Sequence, residues 1–129
     1  MSDNLIEIVI KHRSKVMTGQ KLTDEVNAFI NMVRTSGAIV CQNDAGAIVF
    51  EPFIASGVVR CWLFFDRFTK STLSLIKNAT DSFSGRCMLA YTSDKRMERL
   101  LKKVGFRTIE VQENNDIVLL KTPLGLQSH

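Results

Sequence analysis

The N-terminal residues carry apolar positions at helical spacing. Leu5 pairs with Val9, and Ile6 pairs with Ile10, within the segment 3–18. Apolar residues four positions apart lie on one face of an α-helix, so the spacing predicts a helix. The run LIEIVI is rich in β-branched residues and is also compatible with a strand.

A second helix is predicted over residues 23–35, where one apolar stripe is formed by Val26, Phe29, Ile30 and Val33. We expect Thr23 to cap its start. Asp24 and Glu25 would then occupy the first turn, where the helix dipole favours acidic side chains. Gly37 is expected to end the helix.

Three strands are predicted next, at residues 38–42, 47–54 and 58–65. The connecting segments NDAG and ASG have turn composition, so the strands should form an antiparallel meander. Pro52 lies inside the second strand and cannot donate a ladder hydrogen bond. That strand is therefore expected at a sheet edge or bulged at Pro52.

From residue 70 onward, predicted helices and strands alternate. The predicted elements are a helix at 70–82, a strand at 86–91, a helix at 94–104 and a hairpin of strands 106–112 and 116–122. Helix 70–82 connects two strands, and such a crossover joins parallel neighbours.

The predicted fold is α+β, with one α/β-like crossover. A central mixed sheet combines an antiparallel meander, one parallel crossover and a C-terminal hairpin, and helices flank it. No linker or repeat divides the chain, so residues 1–121 are expected to form a single domain. The segment 122–129 is expected to be a flexible tail.

Net charge is unevenly distributed along the chain. Residues 1–66 contain six Lys/Arg and seven Asp/Glu, a balance of −1, whereas residues 67–129 contain eleven and six, a balance of +5. The basic side chains of this half could bind nucleic acid, phosphate-bearing cofactors or acidic proteins, or they could lie on a solvated helix face. The basic run 95–107 has no aromatic side chain except Phe106, so a nucleic-acid partner is a weaker hypothesis.

The three cysteines, Cys41, Cys61 and Cys87, are too scattered for a disulfide framework or a zinc site, and we expect buried, reduced thiols. His12 and His129 form no catalytic or metal-binding pattern with them.

The longest mostly apolar stretch, FIASGVVRCWLFF, contains about 13 residues, whereas a membrane-spanning helix needs about 20. We therefore expect a protein that is neither secreted nor membrane-bound.

The late segment TSDKRMERLLKKVGFRTIEV combines an amphipathic helix with Lys103, Gly105 and Phe106 at the entry to a strand. Together with the element order, it resembles the GNAT superfamily of acyl-CoA-dependent N-acetyltransferases over roughly residues 38–121. The aromatic strand around Trp62 and the ending Leu-Lys-x-x-Gly-Phe of the late helix resemble small, divergent GNAT-like proteins of tailed phages.

The resemblance implies a site for acetyl-CoA at the junction between the aromatic strand and the helix that follows. The implied cofactor-binding residues are Phe64, Phe65, Arg67, Lys70, Ser71 and Thr72. The family's pyrophosphate loop reads Arg/Gln-x-x-Gly-x-Gly/Ala, whereas this chain has no glycine there, so side chains would crowd the approach of a phosphate. In the alternative interpretation, Thr69 caps the helix and the basic side chains are solvated.

Acetyl transfer to an amine also requires a base and an acid. Glu51 and Asp66 are the candidate bases, because both lie on or beside the central strands, and Tyr91 is the candidate acid. Alternatively, Glu51 faces solvent, Asp66 caps a turn and Tyr91 is packed at a strand end. Asp94 stands where the family has Asn, and Leu101 stands where the family often has a Tyr that protonates the thiolate.

These departures favour a GNAT-fold phage protein with a degenerate acyl-CoA site and no cofactor, located in the host cytoplasm or the virion and bound to a phage or host protein. The alternative is an active acetyl-CoA-dependent N-acetyltransferase that modifies an amine.

Overall fold

The computed structural model describes residues 3–52, 57–83, 85–113 and 115–123, and within them the chain forms four helices and six strands. The elements are α1 (Asp3–Arg13), α2 (Gly19–Ser36), β1 (Ile39–Asn43), β2 (Gly46–Pro52), β3 (Val58–Phe65), α3 (Lys70–Asp81), β4 (Cys87–Thr92), α4 (Lys95–Lys103), β5 (Arg107–Val111) and β6 (Ile117–Lys121). This is the predicted order. The segment LIEIVI is helical rather than extended.

The six strands form one mixed sheet in the order β1-β2-β3-β4-β6-β5. Strands β3 and β4, which α3 connects, are parallel, and the other neighbours are antiparallel. The predicted meander, crossover and C-terminal hairpin are therefore confirmed. Most of the predicted tail lies outside the described residues.

Helices cover both faces of the central strands of the sheet. Helices α1 and α2 cover one face, where the buried core contains Leu5, Val9, Val26, Phe29, Ala47, Val49 and Phe64. Helices α3 and α4 cover the other face, whose core includes Ile48, Phe50, Cys61, Ile76, Met88 and Leu101. Successive strand side chains point to opposite faces, so a strand covered on both sides has an almost continuous apolar sequence, as β2 does.

Helix α2 begins earlier than predicted. Its N-cap is Thr18 in an extended conformation, so the expectation that Thr23 caps the helix was wrong. Leu22 packs against the core of this face and extends the apolar stripe by one turn before Val26. The first turn accordingly holds no acidic residue, whereas Gly37 ends the helix in the left-handed conformation as predicted.

Helix α1 is shorter than predicted, because it ends at Arg13 and a turn follows. Strand β2 is an interior strand, so the expectation of an edge strand at Pro52 was wrong. Its register with β3 runs without a shift from Gly46 to Pro52. Pairing with β1 stops at Phe50, so the missing Pro52 N–H interrupts no described hydrogen bond of that pair.

All three cysteines are free thiols, as predicted. Only Cys61 is fully buried, whereas Cys41 and Cys87 are partly exposed, so the expectation of uniform burial was wrong for those two. Cys41 lies on the edge strand β1, and Cys87 is the first residue of β4. Within the described ranges, none of the helices is long and apolar enough to cross a membrane.

Candidate functional site

The parallel strands β3 and β4 separate halfway along their length. Their pairing runs from Val58–Cys87 to Cys61–Ala90, after which neither strand pairs with the other. Beyond that point β3 continues to pair with β2, and β4 continues to pair with β6. Each strand therefore follows its outer neighbour, and an opening forms between their carboxyl ends.

A cavity of about 740 Å³ lies at this opening, on the face that α1 and α2 cover. Its apolar wall includes Val9, Phe29, Met32, Trp62 and Phe64. The polar side chains that line it include Arg13, Glu25, Arg60, Tyr91 and Asp116. An apolar cavity of this size with a few converging polar groups is typical of small-molecule sites.

Aromatic contacts fix the apolar wall of the cavity. Phe29 of α2 packs edge-on against Trp62 and Phe64 of β3, with ring centroids 5.6 and 5.1 Å apart. The indole N–H of Trp62 donates to Glu51 Oε2 at 3.3 Å. The ring of Trp62 is therefore held both by packing and by a hydrogen bond.

Arg60 brings a positive charge into the cavity. Its guanidinium carbon lies 5.7 Å from the ring centre of Trp62 and 5.6 Å from that of Tyr91. Both distances are within the range of cation–π attraction, so the two rings hold the guanidinium at the opening.

An ion pair between the two N-terminal helices also lies in the cavity wall. Arg13 Nε of α1 is 2.8 Å from Glu25 Oε1 of α2. These two residues were not predicted as site residues, and neither were Arg60 and Asp116. Arg13 and Glu25 are charged residues beside apolar stripes, a pattern that is common on solvated helix faces, and Arg60 is a charged residue within an apolar strand.

Tyr91 is the one candidate catalytic residue that lines the cavity. It lies on β4 just beyond the last pair with β3 and is 38% exposed. Tyr91 therefore lines the opening between the diverging strands.

The two candidate bases lie outside the cavity lining. Asp66 forms ion pairs with Lys15 at 2.6 Å and with Lys11 at 3.5 Å. The hydrogen bond from Lys15 lowers the pKa of Asp66, which makes this carboxylate a weaker base. Glu51 accepts the indole N–H of Trp62 and is half-buried. The structure therefore does not bring these carboxylates together with Tyr91.

The implied pyrophosphate loop is closed by its own hydrogen bonds. Thr69 and Thr72 form a capping box at the start of α3. Thr72 Oγ1 also donates to the Arg67 carbonyl at 2.6 Å, and the side chain is completely buried. Thr72 is therefore part of the folded core of the loop. Thr69 is the N-cap of α3, as the alternative interpretation predicted.

The other implied cofactor residues are divided between the core and the surface. Phe64 and Phe65 are buried on opposite faces of the sheet. The Arg67 guanidinium donates to the Asp44 carbonyl in the turn between β1 and β2. Lys70 and Ser71 are exposed. Two cations, Arg67 and Lys70, therefore lie near the start of α3, but Arg67 is bound to a backbone carbonyl.

The two positions that depart from the family pattern on α4 have structural roles. Asp94 caps α4 by accepting from the Arg96 N–H at 2.8 Å, and its other oxygen pairs with the Arg96 guanidinium at 2.9 Å. The side-chain bond from Arg96 lowers the pKa of Asp94. Leu101 is fully buried in the core and offers no proton. Among the described residues, no group of His, Cys, Asp and Glu gathers in a metal-binding arrangement.

No protein-family model matches the sequence, and no curated protein matches it either. Solved structures do match the fold. A PaiA N-acetyltransferase from Thermoplasma acidophilum, in complex with coenzyme A, is 14% identical with a TM-score of 0.63, and the match covers 95% of each chain.

Two aminoglycoside acetyltransferases are similar in the same way. An aminoglycoside 6'-N-acetyltransferase complexed with coenzyme A is 13% identical, covers 94% of this chain and 92% of that one, and has a TM-score of 0.62. An aminoglycoside 6'-acetyltransferase type Ii is 17% identical, covers 92% and 90%, and has a TM-score of 0.60. The chain therefore has the fold of the GNAT acetyltransferases.

Proposed function

We propose that this chain is a GNAT-fold protein with a degenerate acyl-CoA site, and that it acts as a phage virion or assembly component by binding another protein. The observation that carries the proposal is the closed start of α3. Thr72 is fully buried and bonded to the Arg67 carbonyl, and it shares a capping box with Thr69.

A bound pyrophosphate would need the backbone amides at this helix start. The capping box engages the Thr72 amide, and the side chains of Thr69, Lys70 and Ser71 stand where a glycine-containing loop would leave space. A phosphate that took the Thr72 amide would have to break the capping box, and this cost opposes binding.

The chemistry of the remaining residues supports the same proposal. Amine deprotonation is most efficient with a base whose pKa is near the working pH. The pKa of Asp66 is instead lowered by Lys15. Arg60 adds a positive charge to the cavity, which disfavours an incoming ammonium group.

A protein-binding role is supported by the surface of β5. This strand lies at the edge of the sheet, and Ile109 and Val111 are 48% and 59% exposed there. Exposed apolar side chains on an edge strand favour association with another chain. The resemblance to small phage proteins suggests that the partner is a phage or host protein, and the charge of +5 in residues 67–129 suggests that it is acidic.

The second candidate is an active acetyl-CoA-dependent N-acetyltransferase. The separation of β3 from β4 favours it, because the opening and the cavity beside Tyr91 would give a thioester and an amine a place to meet.

Isothermal titration with acetyl-CoA distinguishes the two candidates. The degenerate site predicts no heat of binding at millimolar ligand. Binding that is lost in the double variant Arg67→Ala/Lys70→Ala, but kept in the charge-matched variant Lys102→Ala/Lys103→Ala, would support the enzyme instead.

The partner is tested by co-purification with phage particles and with host proteins. We expect association to fall in the double variant Ile109→Lys/Val111→Lys and to persist in Lys102→Ala/Lys103→Ala. Recovery of DNA instead of protein, with strongly salt-dependent binding, would favour a nucleic-acid partner.

A further inference from the structure

We infer that the cavity between α1, α2 and the diverging strands binds a small organic carboxylate, and that Arg60 is the group that holds its charge. The inference goes beyond the proposed function and does not depend on whether acetyl-CoA binds. It rests on the placement of Arg60, on the pairing of the other cavity charges, and on the shape of the apolar wall.

Arg60 is held in position before any ligand arrives. It lies on β3 opposite Glu51 of β2, close to the point where β3 and β4 part. The rings of Trp62 and Tyr91 lie 5.7 and 5.6 Å from its guanidinium carbon. A guanidinium restrained by two rings loses little conformational freedom when it binds an anion, so the site is preorganised.

Arg60 forms no ion pair among the described residues, although Glu51 is its cross-strand neighbour on β2. None of the ion pairs found in the described ranges includes it, and its Nε is buried without a hydrogen-bond acceptor. A buried donor without a partner destabilises the protein, and an anionic ligand would satisfy it.

The carboxylates nearest to the cavity are already engaged. Glu25 pairs with Arg13 at 2.8 Å. Glu51 accepts the Trp62 indole N–H, and Asp116 has an interaction of its own. Of the two arginines that line the cavity, Arg13 is in an ion pair, and Arg60 is in none among the described residues.

The geometry favours a carboxylate on an apolar body. The planar guanidinium can donate two parallel hydrogen bonds to the two oxygens of a carboxylate. The wall formed by Val9, Phe29, Trp62 and Phe64 would accept an aromatic or aliphatic group. A volume of about 740 Å³ lies within the range of sites for small molecules. An amine of the same shape would be repelled by the charge of Arg60 and should bind more weakly than the carboxylate.

Trp62 provides a direct readout, because it is the only tryptophan in the chain and lines the cavity. The experiment titrates the full-length protein, without CoA, with three probes of similar shape: phenylacetate, phenylacetamide and phenethylamine. We expect a saturable change in tryptophan fluorescence with phenylacetate. The neutral amide and the amine should bind at least about tenfold more weakly, because hydrogen bonds to a charged group contribute about that factor or more.

The variant Arg60→Met keeps the length of the side chain and removes its charge. We expect it to bind phenylacetate at least about tenfold more weakly. Arg99→Met, which removes an exposed charge on α4 outside the cavity, should bind as the wild type does. Far-ultraviolet circular dichroism and thermal melting show whether each variant is folded.

Equal responses to the three probes, or unchanged phenylacetate binding in a folded Arg60→Met variant, would overturn the inference. If that variant does not fold, the comparison of phenylacetate with phenylacetamide on the wild type decides the question. Tighter binding of inorganic phosphate than of phenylacetate would also contradict the assignment. The acetyl-CoA titration is a separate measurement, so either proposal can fail without the other.

Discussion

The hydroxyl of Thr72 donates a hydrogen bond of 2.6 Å to the carbonyl of Arg67, and the same oxygen accepts one of 3.2 Å from the Thr69 N–H. One buried side chain thus ties together the turn that carries the chain from β3 into α3. These hydrogen bonds stabilise the start of α3, and the proposal of a degenerate acyl-CoA site rests on them.

Replacing Thr72 by Val should destabilise the fold. The substitution keeps the shape of the side chain but leaves the Arg67 carbonyl and the Thr69 N–H without this partner. We expect a loss of about 1 to 3 kcal/mol in the free energy of unfolding. Urea unfolding followed by circular dichroism measures it.

Ser71→Ala is the matched control, because Ser71 is exposed and its side chain lies outside this network. It should change the free energy of unfolding by no more than about 0.5 kcal/mol. If the two variants were equally stable, the hydrogen bonds of Thr72 would have no role in holding the turn.

Gly46→Ala should also destabilise the protein. Gly46 has a φ of +154°, and an added Cβ would lie 2.2 Å from the Phe64 carbonyl oxygen and 2.7 Å from Phe65 Cδ1. Backbone strain and the clash together should cost at least about 2 kcal/mol.

The control is Gly85→Ala, where an added Cβ meets no atom within 4 Å. It should be close to wild type in thermal unfolding. A similar melting temperature for both variants would mean that the ends of β2 and β3 are not packed as tightly as the structure indicates.

Stability should depend on the protonation of His12. Burial lowers the pKa of this side chain from its usual value of 6.5, the charges on Arg13 and Lys15 lower it further, and those on Asp66 and Asp94 raise it by less. The folded state therefore binds the proton less readily than the unfolded state. The contribution to stability is present above pH 6.5 and is lost as the pH falls below it.

Urea unfolding at about pH 7.5 and about pH 5.5 tests this dependence. The wild type should be less stable at the lower pH, and His12→Gln should lose most of the difference. His129→Gln, which changes the only other histidine, should retain it. If the stability of His12→Gln depended on pH as strongly as that of the wild type, the titrating group would be a residue other than His12.

Cys61 should be the least reactive thiol. It is 2% exposed, and burial raises its pKa well above the usual range. Because the thiolate is the nucleophile, native Cys61 should react with iodoacetamide far more slowly than Cys87. Peptide mass spectrometry after a timed reaction measures each site, and labelling in urea provides the control in which all three thiols react. Fast native labelling of Cys61 would contradict the burial of this face of β3.

The sequence predicted the elements well because their periods are local properties. The stripe of α2, the amphipathic pattern of α4 and the turns between the strands each depend on residues close together in the chain. The predicted start of α2 was wrong because Thr18 and Thr23 are both good capping residues, and the local sequence does not choose between them. The packing of Leu22 against the core of α1 and α2 selected the earlier start.

The candidate site was predicted less completely. The cap at Thr69 and the position of Tyr91 at the end of β4 followed from local sequence. Arg60, however, was only a charged residue interrupting an apolar strand, and nothing local showed that β3 and β4 would part beside it.

The sequence by itself thus determined the elements, their order, the crossover and the absence of glycine from the loop before α3. Only the tertiary structure decided which charges meet. Asp66 is paired with Lys15, 51 positions away, and Glu25 with Arg13 of another helix. The reason is physical: a charge acts through space over a few ångströms, and the fold sets those distances, whereas helical and strand periods are set by neighbours in the chain.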